Sequence, residues 1–341
     1  MFLLYRGNPV LLYVPDLLAA LELKNDPTKY AALRHKYGFD KPWYIQWYLS
    51  FTRLLQGNWG YSPLYGGRPV FTVVAHAFPA TLEIVIPAII LALVIGIPYG
   101  IKSSVTTPKK SFYITSGSII GTSIPSFIVA IFIQGFIWEF FFFLAVKTGL
   151  NNVFNLSFYH YRYNRQYFTY PTHLIFGLPV TNFLTIDSLL SLNFPLFIDA
   201  ILHLLGPVFC IFLVVIPFIV RMTRTAMMDT VKQDYMTLAR SKGLSERTII
   251  YRHAFRNALI PLTSMFGYLF TATIVASIYV EVIFVYPGIG FMLYQGVQNF
   301  DLSLLQGFLV LVCILFILSN LVVDIAYFFV DPRIKTKNQE K

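Results

Sequence analysis

Charged residues and cysteines are both scarce in this chain. Only 12% of the 341 residues are charged, whereas soluble domains carry roughly 25%. The two cysteines, Cys210 and Cys313, lie inside apolar runs, so they indicate neither a metal site nor a disulfide framework. The GxxxxGKS/T phosphate loop, HExxH, CxxC and nucleophile motifs are absent from the sequence. These absences exclude a soluble enzyme and predict a chain that binds no cofactor or metal of its own.

Apolar residues dominate instead. They make up 56% of the chain, with 33 phenylalanines, and the mean hydropathy is +0.64. Because a membrane-spanning helix needs about 20 mostly apolar residues, the sequence predicts an all-α polytopic membrane protein. Its apolar stretch 112–125 is interpreted as the beginning of a second span that bends at Pro125. The five spans are expected at about 79–101, 126–147, 199–220, 258–280 and 304–330.

The basic residues indicate how the chain is oriented. The formal net charge is +10, and 15 of the 26 Lys and Arg fall in three short stretches, 102–111, 221–257 and 331–341. With five alternating spans, these stretches share one side, which the positive-inside rule makes cytoplasmic. The basic excess is therefore a topology signal in the plasma membrane and gives no reason to expect nucleic acid as a partner.

Two long polar stretches fall on the outer side. Residues 1–78 are predicted to be an extracellular N-terminal segment that precedes a membrane domain at 79–341, and residues 148–198 an outer loop. The short apolar run at Met1 is ended by Arg6-Gly7-Asn8-Pro9, far short of a span. Because a chain that begins outside the cell without a signal or a first helix is unusual, an additional upstream helix is expected, which would make six spans.

The basic stretch 221–257 has the most ordered pattern in the chain. A helical pattern runs up to Gly243, and Ser245 is placed to cap a second helix that begins near Glu246 and enters the next span through Pro261. This order predicts a rigid docking element that passes force between a soluble partner and the membrane helices. The basic charge of this stretch has a second explanation, in which the loop is held at anionic lipid. That attraction is worth about 1 kcal/mol per charge.

Ordered motifs decide between these explanations. Within the stretch they are Asp234-Tyr235, Ala239-Arg240, Lys242-Gly243-Leu244, His253-Ala254, Arg256-Asn257-Ala258 and Ile260-Pro261. Elsewhere they are Gly57 to Ser62, Pro79 to Glu83, Ser123 to Phe127, Glu281 to Gly290 and Asp331-Pro332-Arg333. Together these motifs run along nearly the whole chain, and they closely resemble ABC importer permeases of the dipeptide/oligopeptide family.

The resemblance implies a type I ABC importer fold and a permease subunit that is not itself an enzyme. The expected partners are a second homologous permease, two ATP-binding cassette subunits that hold the ATP, and an extracellular substrate-binding protein. Arg240 and Lys242 are expected to pair with acidic residues of the ATPase. The full ATPase-coupling set that the resemblance implies is Asp234, Tyr235, Ala239, Arg240, Lys242, Gly243 and Leu244, and the outer gate candidates are Glu281, Phe284, Pro287 and Gly288.

The chain departs from the family pattern at three places. Thr237 stands where the wider importer motif has glutamate, and Ser277 replaces a usual small glycine, which leaves the packing there open. Arg6 to Pro9 resemble the segment that follows the first helix of family members. The resemblance therefore implies that about 20 residues are missing from the N-terminus, or that translation starts upstream.

Substrate and energy source have alternatives at this level. Short peptides are the first expectation, but relatives of the family also import oligosaccharides or nickel. The tyrosines from Tyr159 to Tyr170 are typical of an interfacial aromatic belt and also suit a sugar path. An ion-coupled secondary carrier would need paired polar residues near mid-membrane and an internal repeat. Glu83 and Asp324 lie near the ends of their spans instead, where hydrogen bonding between helices or a nearby interface explains them.

Overall fold

The computed structural model describes residues 26–36, 38–148 and 181–330, and these residues are mostly helical. The strands found in this part of the chain are β1 (Tyr61–Ser62) and β2 (Arg68–Pro69), which pair antiparallel. The sequence predictions on Arg6 to Pro9, Tyr159 to Tyr170 and Asp331 to Arg333 lie outside the described residues. The helices are α1 (Pro27–Lys36), α2 (Trp43–Leu55), α3 (Val70–Val105), α4 (Pro108–Ser123), α5 (Ser126–Thr148), α6 (Leu184–Leu190), α7 (Phe194–Val231), α8 (Asp234–Ser241), α9 (Glu246–Thr248), α10 (Phe255–Ile283), α11 (Ile289–Gln298) and α12 (Leu302–Val330), with a π-helical segment (Ile249–Ala254) between α9 and α10.

The long apolar helices confirm the predicted fold class. Within the described ranges, four helices can cross a membrane by length and composition, at Val70–Val105, Phe194–Val231, Glu246–Ile283 and Leu302–Tyr327. Helices α4 and α5 meet at a bend of 92°, and they make a fifth span if the pair is counted as one. Pro125 explains the bend, since a proline favours extended backbone in the residue before it, and Ile124 has φ −82° and ψ 120°. The predicted bend is confirmed, but it is nearly a right angle.

Two spans extend beyond their apolar runs. Helix α3 begins at Val70, whereas the hydropathy indicated a start at 79, and its 36 residues correspond to about 54 Å at 1.5 Å per residue. Helix α7 runs from Phe194 to Val231, so its last turns occupy the beginning of the basic stretch that the sequence assigned to a loop. Because the hydrocarbon core is only about 30 Å thick, both helices project out of the membrane. The groups that they carry there can contact soluble partners.

The centre of the fold is the contact between α3 and α7, the most extensive helix pair in the described chain. It is close because two glycines of α3 face α7. A Cβ atom at Gly96 would stand 2.9 Å from Ile219 Cγ2, and one at Gly100 would stand 2.5 Å from Thr223 Cβ. Small residues let helices approach closely in lipid, where packing rather than the hydrophobic effect holds them together. This contact fixes the position of α7.

The strands β1 and β2 and the turn between them (residues 61–69) form a small outer cap. Asp301 joins this cap to the beginning of α12. Its carboxylate accepts hydrogen bonds from the Ser62 hydroxyl of β1 and from the backbone amides of Leu64 at 3.4 Å and Leu304 at 3.1 Å. Burial raises the pKa of the Asp301 carboxyl above its usual range, and the hydrogen bond from Ser62 opposes that shift. The cap is therefore a structured element at the end of the molecule opposite to the basic stretch.

The α3–α7 contact can be tested with a single methyl group. Gly100→Ala is expected to lower the melting temperature of the purified protein in detergent, because the new Cβ would also lie 2.9 Å from the Val220 carbonyl oxygen. Overpacking of this kind typically costs about 1–3 kcal/mol. Gly135→Ala is the matched control, since a Cβ there meets nothing within 4 Å, and it should keep or raise the melting temperature. Equal melting temperatures for the two variants would contradict the close contact.

Candidate functional site

The basic stretch folds into a compact unit between α7 and α10. We define the coupling unit as residues 232–254, which comprise α8, the following turn, α9 and the π-helical segment. The chain leaves α7 at Val231 and enters α8 after Gln233, which has the extended conformation φ −72° and ψ 148°. The sequence predicted one helical pattern up to Gly243. That prediction is wrong at Lys232 and Gln233, where a turn separates the two helices.

The turn of the coupling unit forms as the sequence predicted. Gly243 has φ +73°, and its amide donates to the Arg240 carbonyl oxygen at 2.9 Å. The Ser245 hydroxyl caps the next helix by accepting from the Thr248 amide at 3.3 Å. Because left-handed backbone costs an ordinary L-residue roughly 1–2 kcal/mol, glycine allows this sharp reversal without strain.

Helix α8 has a buried face and an exposed face. Met236 and Ala239 are buried in a cluster that also contains Ile249 of the π-helical segment and Met227 of α7. Elsewhere on α8, Tyr235 is 42% and Leu238 57% accessible, and Leu244, which follows the glycine turn, is 40% accessible. The unit is thus attached to the membrane helices, while its outer surface carries these apolar side chains among exposed polar residues such as Asp234 and Lys242. Of the predicted coupling residues, Ala239 lies beneath that surface and supports it.

One charged residue of the unit forms an ion pair within the unit. The Arg240 guanidinium lies 3.0 Å from the Glu246 carboxylate across the turn, and the two side chains are 42% and 64% exposed. An exposed pair of this kind contributes less than about 1 kcal/mol. Arg240 therefore already has a partner within the unit, which the sequence did not predict. Asp234 and Lys242 are exposed at the two ends of α8.

At the opposite end of α10, Glu281 organises the outer gate candidates. Its carboxylate is fully buried and accepts hydrogen bonds from the amides of Gly290 at 2.7 Å and Phe291 at 3.2 Å. The Ser277 hydroxyl lies 3.1 Å from the same carboxylate, which accounts for a serine at this position. A Cβ at Gly288 would lie 2.3 Å from Glu281 Oε2. Glu281 and Gly288 therefore hold the chain reversal that follows α10.

The other outer residues lie around this reversal. Phe284 faces α7, where a Cβ at Gly206 would be 2.7 Å from Phe284 Cε1, and Pro287 is partly buried in the turn. The Glu83 carboxylate accepts hydrogen bonds from the Tyr286 hydroxyl at 3.0 Å and from the Thr185 amide at 2.8 Å. This agrees with the interpretation of Glu83 as an acid that is hydrogen-bonded between helices.

Two cavities lie along α7 and α10, and Phe218 lines both of them. We call the first the elbow cavity, because it lies beside the bend between α4 and α5; it holds about 250 Å³. We call the second the junction cavity, because it lies where α7 meets α8; it holds about 520 Å³. Residues of the elbow cavity include Thr122, Ser126, Val214, Tyr268 and Thr273. Residues of the junction cavity include Arg221, Thr225, Asp229, Gln233, Asn257 and Pro261.

Sequence reasoning missed both cavities. The signal for the junction cavity was the spacing of Arg221, Thr225 and Asp229, which recur every four residues and therefore share one face of a helix. The predicted helical pattern covers these residues, but the pattern alone does not show that they continue a membrane-spanning helix or lie beside α10. Phe218 has no signal of its own, since it is one phenylalanine among 33. Its position between the cavities depends on the packing of two helices.

Comparison with known proteins agrees with these features. The family described as binding-protein-dependent transport system inner membrane component matches residues 96–336. The probable D,D-dipeptide transport system permease protein DdpB of Escherichia coli strain K12 is 32% identical over 332 residues, which cover 97% of this chain and 89% of that protein. The di/tripeptide transport system permease protein DppB of Pseudomonas aeruginosa is 33% identical, covering 92% and 87%. The oligopeptide transport system permease protein AppB of Bacillus subtilis is 32% identical, covering 88% and 83%.

This chain belongs to the family of inner membrane components of binding-protein-dependent transport systems. It is therefore a permease subunit of a transport complex in the membrane, and the predicted family and location are confirmed. Within the described chain, no group of three or more His, Cys, Asp or Glu is placed to hold a metal ion.

The turn of the coupling unit gives a test of its role. Gly243→Val is expected to abolish coupled transport, because a β-branched residue cannot take φ +73° without strain. Gly243→Asn is the matched control, since asparagine tolerates left-handed backbone, and it should retain most of the activity. Both variants should insert in the membrane at wild-type levels. The measurement is ATP-dependent uptake by the assembled transporter, and wild-type uptake by Gly243→Val would contradict the assigned role.

Proposed function

We propose that this chain is the membrane-spanning permease subunit of an ATP-driven importer, and that it forms part of the path for short peptides delivered by an extracellular binding protein. The observation that carries the proposal is the coupling unit, whose buried face is joined to α7 and α10 while its apolar face is exposed. The names of the relatives support peptides as the substrate class.

The exposed face suits an ATPase partner. Tyr235, Leu238 and Leu244 offer apolar side chains that a groove on a soluble subunit would bury. Movement of that subunit would be passed to α7 and α10, because Met236 and Ala239 anchor α8 to the same buried cluster as Met227. Closure of two ATPase subunits would thereby bias a membrane unit that has two conformations. ATP is held by those partners in this proposal.

A second, homologous permease would complete the path. The elbow cavity combines hydroxyl groups such as Thr122 and Ser126 with apolar side chains such as Val214, a mixture that suits peptides of varied sequence. At the outer end, Glu281, Phe284, Pro287 and Gly288 are proposed to form the gate. The fit of Phe284 against Gly206 supports this assignment, because it closes the space between α10 and α7.

Binding of the ATPase can be tested on the exposed face of α8. Leu238→Asp is expected to reduce copurification of the cognate ATPase subunits at least about tenfold, because a charge would replace an apolar contact at the proposed interface. Gln298→Asp is the matched control, as it introduces the same charge at an exposed position on the far side of the molecule. It should leave copurification unchanged.

Transport itself is measured with the complete assembly in proteoliposomes, using a labelled dipeptide. The expected result is uptake that requires both ATP and the binding protein, and that Leu238→Asp abolishes. Uptake that ignores ATP but follows a proton gradient would contradict the importer proposal. ATP-dependent uptake of a labelled oligosaccharide in place of the dipeptide would contradict the substrate class alone.

A further inference from the structure

The junction cavity contains opposite charges that the coupling unit does not use. Arg221 and Asp229 both line it, together with Thr225, Gln233 and Asn257, and all five residues are exposed, so the cavity is an open cleft at the surface of this subunit. In the part of the chain that the structure describes, the Arg221 guanidinium and the Asp229 carboxylate form no salt bridge with each other or with another residue. Arg224, by contrast, points away from the cavity and donates to the Ser111 hydroxyl at 3.0 Å.

We propose that the junction cavity binds the charged termini of a short peptide as the peptide leaves the membrane domain. The Arg221 guanidinium would bind the peptide carboxylate, and the Asp229 carboxylate the peptide ammonium group. This inference rests on the proposed function, because it takes the transported substrate to be a free peptide. It adds a site and a chemical basis for substrate recognition at the inner end of the path.

The spacing of the two charges fits such a ligand. Residues 221 and 229 lie on one face of α7, about 12 Å apart along the helix axis at 1.5 Å per residue. A peptide extends by about 3.3–3.6 Å per residue, so two or three residues, with a hydrogen bond of about 3 Å at each end, span this distance. The volume of about 520 Å³ lies within the usual range of small-molecule sites, about 300–1,000 Å³. Di- and tripeptides therefore match the cavity in both length and size.

The remaining polar side chains suit a peptide backbone. The amides of Gln233 and Asn257 and the Thr225 hydroxyl offer both donors and acceptors, which match the alternating carbonyl and amide groups of a peptide. An anionic lipid headgroup would be bound by Arg221 alone and would leave the Asp229 carboxylate without a partner. The mixed charge thus favours a ligand that is positive at one end and negative at the other.

The position of the cavity connects its ligand with the coupling unit. Gln233 and Tyr235 belong to the coupling unit, whereas Asn257 and Pro261 belong to α10. A peptide in the cavity would therefore touch both attachments of the unit to the membrane domain. Phe218 lines both this cavity and the elbow cavity, so the two cavities adjoin at its side chain.

The proposal is tested by equilibrium binding of labelled trialanine to the complete transporter in lipid nanodiscs, without binding protein and without ATP. The wild type should bind free trialanine saturably, and trialanine blocked at both termini should compete about tenfold less well or worse. Arg221→Met should weaken binding of free trialanine about tenfold or more, but it should leave binding of trialanine amide unchanged. Asp229→Asn should weaken binding of free trialanine by a similar factor, and it should leave binding of N-acetyl trialanine unchanged. Arg68→Met removes an exposed arginine outside both the cavity and the coupling unit and should change nothing.

Several results would overturn the proposal. They are the absence of saturable binding by the wild type, equal affinity of free and blocked peptides, and equal effects of Arg221→Met and Arg68→Met. Failure of the Arg221→Met variant to assemble with its partners would also overturn it, because the face would then be covered by another subunit. Peptide uptake by the same wild-type preparation separates this inference from the proposed function. Uptake without the expected binding refutes the cavity site alone, whereas absence of peptide uptake refutes the proposed function.

Discussion

The close approach of α3 and α7 is the constraint on which the rest of this structure depends. In lipid, two helices gain little from the hydrophobic effect, so they must be held by dense contact. Gly96 and Gly100 make that contact possible, because any side chain there would overlap Ile219 or Thr223. Once α7 is fixed, so are its inner end, the junction with α8 and one wall of each cavity. The geometry of the functional surfaces thus follows from two residues that have no side chains.

Buried carboxylates hold the outer end together in a complementary way. Glu281 binds the amides of a chain reversal in which Val285 takes a left-handed conformation with φ 51°, a strained state for a β-branched residue. Glu83 joins the same region to α6 through Thr185 and to the reversal through Tyr286. These hydrogen bonds satisfy acids that would otherwise be costly to bury in a membrane domain. A proton or ion relay is not needed to explain them.

The sequence predicts those parts of the fold that depend on local or solvent physics. Hydropathy identifies the spans because a helix surrounded by lipid must be long and apolar. Gly243 indicates a turn through its backbone freedom, and Ser245 indicates a helix cap through its hydroxyl. The turn before α8 was missed, since neither proline nor glycine marks it. The pairing of Arg240 with Glu246 and the position of Phe218 between two cavities were missed because they depend on how separate segments pack.

A soluble ATPase is proposed to dock on the exposed face of α8. Cross-linking measures this contact most directly, with a thiol-to-amine reagent on the assembled transporter that carries Leu238→Cys. Cys313→Ser removes the exposed native thiol, while Cys210 is buried. Our account predicts an adduct between position 238 and an ATPase subunit, whereas Gln298→Cys on the far side should give none. An ATPase adduct from position 298, or an adduct of position 238 with the binding protein, would contradict both the docking surface and the predicted orientation in the membrane.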